Sequence, residues 1–141
     1  MDHLDCLLAH DCKLEWNFHN SVWASTIFNI GPWIFCFKHT NFTNLPFSIC
    51  SIYATGSYDP KAGGHLVLWE CRLVIEFPPG STVLIPSAAI AHSNIPIPTN
   101  SMHYSITQYT AEGIFRWVDH GFQTEDSYQA TLLDEGCREE L

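Results

Sequence analysis

The apolar positions of this chain come in short runs broken by turn-forming residues, with little helical spacing. Trp33–Lys38 is an apolar run suited to a strand. Phe47–Tyr58 is again β-prone, although Gly56 interrupts it. His65–Trp69 and Arg72–Phe77 are short stretches rich in Val, Ile and Leu, and Thr82–Pro86 and Ala88–Ser93 read as further strand pieces. His103–Thr110 alternates in the manner of a strand with one buried face. Between these runs lie Asn41–Pro46, Asp59–Gly64, Pro78-Pro79-Gly80-Ser81 and Thr99–Ser101, all rich in turn residues. Gly80 is free to take a positive φ at its corner. Ile95-Pro96-Ile97-Pro98 is extended and unsuited to a sheet centre.

Helical pattern is confined to the ends. Residues 1–15 place Leu4, Leu7, Leu8 and Leu14 at loose helical spacing. Residues 16–31 are mixed and aromatic and support no assignment. Glu112–His120 fits a last strand or a short helix, and one helical turn is expected near Thr131–Glu135. Short strands every eight to twelve residues or so predict a mainly β fold, a sandwich or barrel of the jelly-roll kind. The expected organisation is an N-terminal, partly helical segment over 1–32, a β core over 33–122, and an acidic, flexible tail over 123–141.

Composition supports a buried core and narrows the partners. The 141 residues are 46% hydrophobic, 13% aromatic and 15% charged, with a formal net charge of −9. The acids gather at the two ends, and residues 16–118 balance four acids (Asp59, Glu70, Glu76, Glu112) against four bases (Lys38, Lys61, Arg72, Arg116). That charge pattern excludes a broad basic surface for capturing nucleic-acid backbone. No apolar run is long enough to span a membrane. The start Met1-Asp2-His3-Leu4-Asp5 lacks the features of a secretory signal, so an intracellular protein, nuclear or cytoplasmic, is expected. The six cysteines form no Cys-x-x-Cys pair and are read as reduced thiols, with Cys36, Cys50 and Cys71 as small core residues.

Eight histidines offer more chemistry than any other residue type here. His39 follows the first apolar run, His92 ends the segment after Pro78-Pro79-Gly80-Ser81, and His103 opens the next strand. No phosphate-binding glycine loop and no Gly-x-Ser-x-Gly elbow occurs. Trp69, Phe77, Phe115 and Trp117 are expected in the core.

Several segments carry a resemblance to a known family. They are Phe37-Lys38-His39-Thr40-Asn41, Asn44-Leu45-Pro46-Phe47, the run from Asp59 through Gly63-Gly64-His65-Leu66-Val67-Leu68-Trp69, the run Leu73–Ser87 containing Phe77-Pro78-Pro79-Gly80-Ser81-Thr82, His92-Ser93-Asn94, Tyr104–Thr110 and Phe115–Phe122. Together they resemble fungal proteins of the TET/JBP branch of iron(II)- and 2-oxoglutarate-dependent dioxygenases, over about residues 33–122. The resemblance implies a double-stranded β-helix, incomplete at its N-terminus because the relatives are longer there. It also implies Fe(II) and 2-oxoglutarate as cofactors and a methylated base in nucleic acid as a substrate.

Matched position by position, the resemblance assigns His39, Asn41 and His92 to the metal, and His103 with Tyr104 to the cosubstrate. Asn94 and Gln108 are assigned to the substrate pocket. Two positions depart from the family. Asn41 replaces an aspartate, removing a formal charge beside a dication. His103 replaces an arginine, exchanging a two-pronged cation for a mostly neutral ring. Both departures weaken one reaction, so a degenerate domain with weak or no turnover is expected, the alternative being an active dioxygenase with Asn41 as a ligand. Two further alternatives are a zinc site made by His39, His92 and His103, and Arg116 acting in place of the missing arginine.

Overall fold

Side chains on neighbouring strand residues point to opposite faces, so a strand with apolar residues at every second position can bury one face against a second sheet. The computed structural model, which describes residues 2–139, builds such an arrangement from Trp16 to Ala111. Its strands are β1 Ser25–Asn29, β2 Cys50–Ser57, β3 Leu66–Leu68, β4 Leu73–Ile75, β5 Thr82–Ile85, β6 His92–Asn94 and β7 Met102–Tyr109. Four of them form one sheet in the order β1-β7-β2-β5, and three form another in the order β4-β3-β6. Every pairing is antiparallel. The protein is mainly β with a few short helices.

The two sheets share one core. Ala54 of β2 and Ile85 of β5 meet Leu66 and Leu68 of β3, with Phe77 among them. Each large side chain removed from water here contributes about 1.5–3 kcal/mol. The Tyr58 hydroxyl donates to the Phe77 carbonyl and closes the same region. The corner at Pro78–Ser81 is as expected: Gly80 has φ 88°, and its N–H reaches back to the Ala54 carbonyl at 2.8 Å.

Most strands lie within a few residues of where the pattern puts them; four elements do not. Trp33–Lys38 is extended but forms no ladder, with a single bridge from Trp33 to His103. Ile34 and Cys36 line a cavity while Phe35 and Phe37 are exposed, so the run is a wall segment and not a sheet strand. Residues 16–31 contain β1, which pairs with β7 from Ser25↔Tyr109 to Asn29↔Ser105. Only His92–Asn94 of the stretch 88–93 and its sequel is a strand. The single turn expected near Thr131 is a helix of 15 residues.

The second unit comprises the segments before Trp16 and after Ala111. It contains α1 His3–His10, α2 Glu112–Asp119 and α3 Glu125–Glu139. Of the two possibilities for 112–120, the helix is correct. The His3 ring stacks on Phe115 with centroids 4.4 Å apart, and its Nε2 lies 2.7 Å from Asp119 Oδ1. At the head of α3, Thr124 Oγ1 accepts the Ser127 N–H at 3.3 Å, a capping interaction that satisfies an otherwise unpaired donor.

Several side chains are more exposed than expected. Cys50 is buried, but Cys36 and Cys71 are exposed: Cys36 lies on the open cavity wall and Cys71 in the turn between β3 and β4. Cys6, Cys12, Cys36, Cys50 and Cys71 are free thiols. Phe77 is a core residue, whereas Trp69 and Trp117 lie at the surface. Trp69 keeps a polar anchor through its Nε1–H to Ser93 Oγ at 3.1 Å, and Lys38 Nζ sits 4.7 Å from its ring centre. No helix among the described residues is long and apolar enough to cross a membrane.

Candidate metal centre

A cavity of about 220 Å³ opens between the two sheets. Three walls build it. β7 turns His103, Ser105 and Thr107 inward, with Ile27 and Asn29 of β1 beside them. From the other sheet come Leu66, His92, Ser93 and Asn94. The segment after Pro32 closes the third side with Ile34, Cys36, His39 and Asn41.

His39 and His92 are 53 residues apart in sequence and adjacent in space. Their backbones exchange two hydrogen bonds: the His39 N–H donates to the His92 carbonyl at 3.1 Å, and the His92 N–H returns to His39 at 2.9 Å. The ring centroids are 4.4 Å apart with a 52° angle between planes. Each ring is oriented in the same way. His39 Nδ1 lies 2.8 Å from the Phe37 carbonyl, and His92 Nδ1 lies 3.0 Å from the Ile90 carbonyl. A carbonyl only accepts, so each Nδ1 carries the proton, and in the neutral ring the lone pair is on Nε2. An outer hydrogen bond that fixes tautomer and orientation is the usual preparation of a metal-binding imidazole.

His92 is 5% exposed, and burial lowers its pKa from the usual 6.5. The nearby His39 adds to that direction, while the Ile90 carbonyl and Glu70 oppose it. A neutral ring at pH 7 is the form that offers a lone pair. The shift also has a consequence for stability. Below 6.5 the unfolded chain takes up a proton that folded His92 refuses, so this contribution is complete above 6.5 and is lost as pH falls toward the lowered value. A proton titration of the His92 ring followed by NMR is therefore expected to have its midpoint below 6.5.

Asn94 explains how the wall segment is held. Its Oδ1 accepts the Cys36 N–H, and its Nδ2 donates to the Ile34 carbonyl at 3.0 Å. Both ends of the amide are therefore occupied by backbone, and Asn94 acts as a clamp at the cavity wall. Asn41 is fixed from behind. Its N–H donates to the Ser87 carbonyl at 2.9 Å and its carbonyl accepts the Asn44 N–H at 2.9 Å. Asn44 is buried and donates through Nδ2 to Ser87 Oγ at 3.1 Å and to Cys50 Sγ at 3.3 Å. Asn44 and Ser87 lie in segments that carry the resemblance, although their residue types alone do not announce a supporting role.

His103 is buried on β7 at 4% exposure, with Nδ1 3.1 Å from the Ile34 carbonyl. Its Nε2 has no partner. Tyr104 and Gln108 lie on the other face of β7 and do not line the cavity: the Tyr104 hydroxyl approaches Met102 Sδ, and Gln108 Nε2 donates to Ser21 Oγ. Among the residues expected at the site, the fold thus brings together His39, Asn41, His92, Asn94 and His103.

The donor set fits the implied cofactors only in part. Two imidazoles on the cavity carry their proton on Nδ1 and leave Nε2 as the acceptor atom. Where the resemblance expects a carboxylate there is the neutral amide of Asn41, and no Asp, Glu, Lys or Arg lines the cavity. Among the described residues, no group of three or more His, Cys, Asp or Glu side chains is placed to hold a metal ion, which removes the three-histidine zinc site. The dianion 2-oxoglutarate finds no cationic side chain on these walls, and burying a carboxylate without one costs several kcal/mol.

No protein-family model matches the chain, and no curated protein matches it in sequence. Among solved structures it is similar to NgTET1 in complex with 5mC DNA, with a TM-score of 0.57 and 19% identity. The match covers 67% of this chain and 36% of NgTET1. At that identity the likeness is one of fold, and it places this β structure beside a part of a TET protein.

Proposed function

We propose that the β unit is a double-stranded β-helix of the 2-oxoglutarate-oxygenase type whose cofactor site has decayed to a weak metal site without efficient turnover. The observation that carries this reading is the pairing of His39 with His92 on a cavity whose walls hold no charged side chain. The Nδ1–H tautomer of both rings and their 4.4 Å centroid separation support the metal half of this reading. The groups that would balance a metal's charge and grip a dicarboxylate are Asn41 and His103, and neither carries a fixed charge. The likeness to NgTET1 supports the fold half of the proposal.

A second reading, an active dioxygenase acting on a methylated base, draws on the retained histidine pair and on NgTET1 having been solved with 5mC DNA. Residues 16–118 sum to zero charge, so nucleic acid would be engaged locally and not by a broad basic face. Incubation with Fe(II), ascorbate and labelled 2-oxoglutarate separates the two readings. The native chain is expected to form succinate only at background level. The Asn41→Asp/His103→Arg double variant, which restores both charges, is expected to form it above background. Succinate from the native chain, lost on His92→Ala, would establish the active reading instead.

A further inference from the structure

We infer that the cavity between the two sheets takes a small neutral molecule of the phenol class, a single apolar ring whose hydrogen-bond donor is received by a buried histidine nitrogen. The inference deepens the decayed-site reading, because it rests on the same uncharged walls.

The cavity has a volume of about 220 Å³. An apolar cavity of about 150 Å³ already holds benzene, so one substituted ring fits here. Ile27 of β1, Ile52 of β2 and Leu66 of β3, with Ile34 and Phe77, bring apolar surface to it from both sheets. No Asp, Glu, Lys or Arg lines it. A carboxylate entering this space would lose its hydration and find no counter-ion. A neutral ring loses little hydration and gains from burial against aliphatic walls.

The polar atoms of the walls set the direction of the hydrogen bond. His92 is 5% exposed, and its Nδ1–H is engaged by the Ile90 carbonyl, which leaves Nε2 as a buried acceptor. His103 is equally enclosed. Its Nδ1–H is engaged by the Ile34 carbonyl, and its Nε2 has no partner. The exposed His39 repeats the arrangement through the Phe37 carbonyl. The Asn29 and Asn94 amides are already occupied, the first by donation to Ser105 Oγ and the second by two backbone groups. Neutral imidazoles whose single N–H is engaged elsewhere can only accept, so the guest that completes these walls must donate. A phenol O–H does so while its ring covers the apolar side.

The test is calorimetric titration of the full native chain with phenol, toluene and benzoate, which share a ring and differ in its substituent. Phenol is expected to bind about two- to tenfold more tightly than toluene, the worth of one neutral hydrogen bond. Benzoate is expected to bind at least about tenfold more weakly than phenol. His92→Leu or His103→Leu is expected to abolish the advantage of phenol while toluene still binds, which shows that the cavity is intact. As a measurement independent of any variant, phenol is expected to shift the ring signals of His92 or His103 in NMR spectra of the native chain. Equal affinity for phenol and toluene, an advantage retained in both variants, or ring signals that do not move overturns the donor assignment and with it the inference. Failure of phenol to bind overturns the inference and leaves the decayed-site reading standing. Benzoate binding more tightly than phenol overturns both, because a carboxylate would then have found its charge partner.

Discussion

Gly56→Ala is expected to destabilise the β unit by about 2–5 kcal/mol, combining a strained backbone with overpacking. Gly56 lies within β2 at φ 126°, where side-chain-bearing residues are rarely found. A Cβ built there would stand 2.2 Å from the Met102 carbonyl oxygen and 3.2 Å from His103 Cα. Both contacts are to backbone of β7, the strand that pairs with β2 from Ser51↔Gln108 to Ser57↔Met102. Relief therefore requires this end of the central ladder to open. His103, paired with Gly56, would move with it, as would its N–H bond to the Pro32 carbonyl at 2.9 Å. Typical domains have only about 5–15 kcal/mol of stability, so the loss would be a large fraction of the total. Denaturant unfolding read by tryptophan fluorescence should show a lower midpoint with little change in slope. A loss below about 1 kcal/mol would mean that β7 yields more easily than its pairing implies.

Where one face of a strand is buried, its residues announced it. β2, β3 and β5 appear in the sequence as apolar runs because their inward positions help to build the core of Ala54, Leu66, Leu68, Phe77 and Ile85, whereas β7 shows as an alternation whose inward residues are the polar His103, Ser105 and Thr107. β1 was not legible, since Ser25-Thr26-Ile27-Phe28-Asn29 is half polar and half-exposed along its length. Trp33–Lys38 misled for the opposite reason. Its apolar residues are there to form a cavity wall, and its partner is the Asn94 amide instead of a continuous ladder. α3 has no apolar stripe to betray it and relies on contacts within one turn, such as Gln129 Nε2 to Glu125 Oε1 at 3.0 Å.

The site was legible in a different way. Nothing in the spacing of His39 and His92 says that they meet; matching by resemblance put them together, and the antiparallel bridge between them is the physical fact. The alternation of β7 accounts for what did and did not reach the cavity. His103, Ser105 and Thr107 share one face, and Tyr104 and Gln108 necessarily share the other. Asn94 lines the cavity and bonds two backbone groups there, and in the sequence such a side chain looks like any polar residue near a histidine.

His92→Ala is expected to weaken Zn(II) binding by at least about 100-fold, since even outer hydrogen-bond partners of metal-binding histidines are worth 10–100-fold. The expectation follows from how few donors the cavity offers. Besides His39, His92 and Asn41, the walls carry the His103 ring and the Cys36 thiol but no carboxylate to take over when a ring is lost. Zinc bound by His39 and Asn41 alone would be held mainly by water, and that state competes poorly with the free aqueous ion. The alternative, that the two rings are together only because their strands pair, makes a different prediction. The backbone bonds between residues 39 and 92 do not involve the side chains, so the bridge should survive the substitution and zinc affinity should be indifferent to it. His19→Ala provides the comparison: His19 is exposed and outside the cavity, and its loss should leave the strongest zinc site unchanged. Titration calorimetry on the three proteins, with melting temperatures measured free of metal to confirm that each is folded, decides between a prepared site and a structural coincidence. Equal zinc affinity in all three would assign the pair to the fold and withdraw it from chemistry.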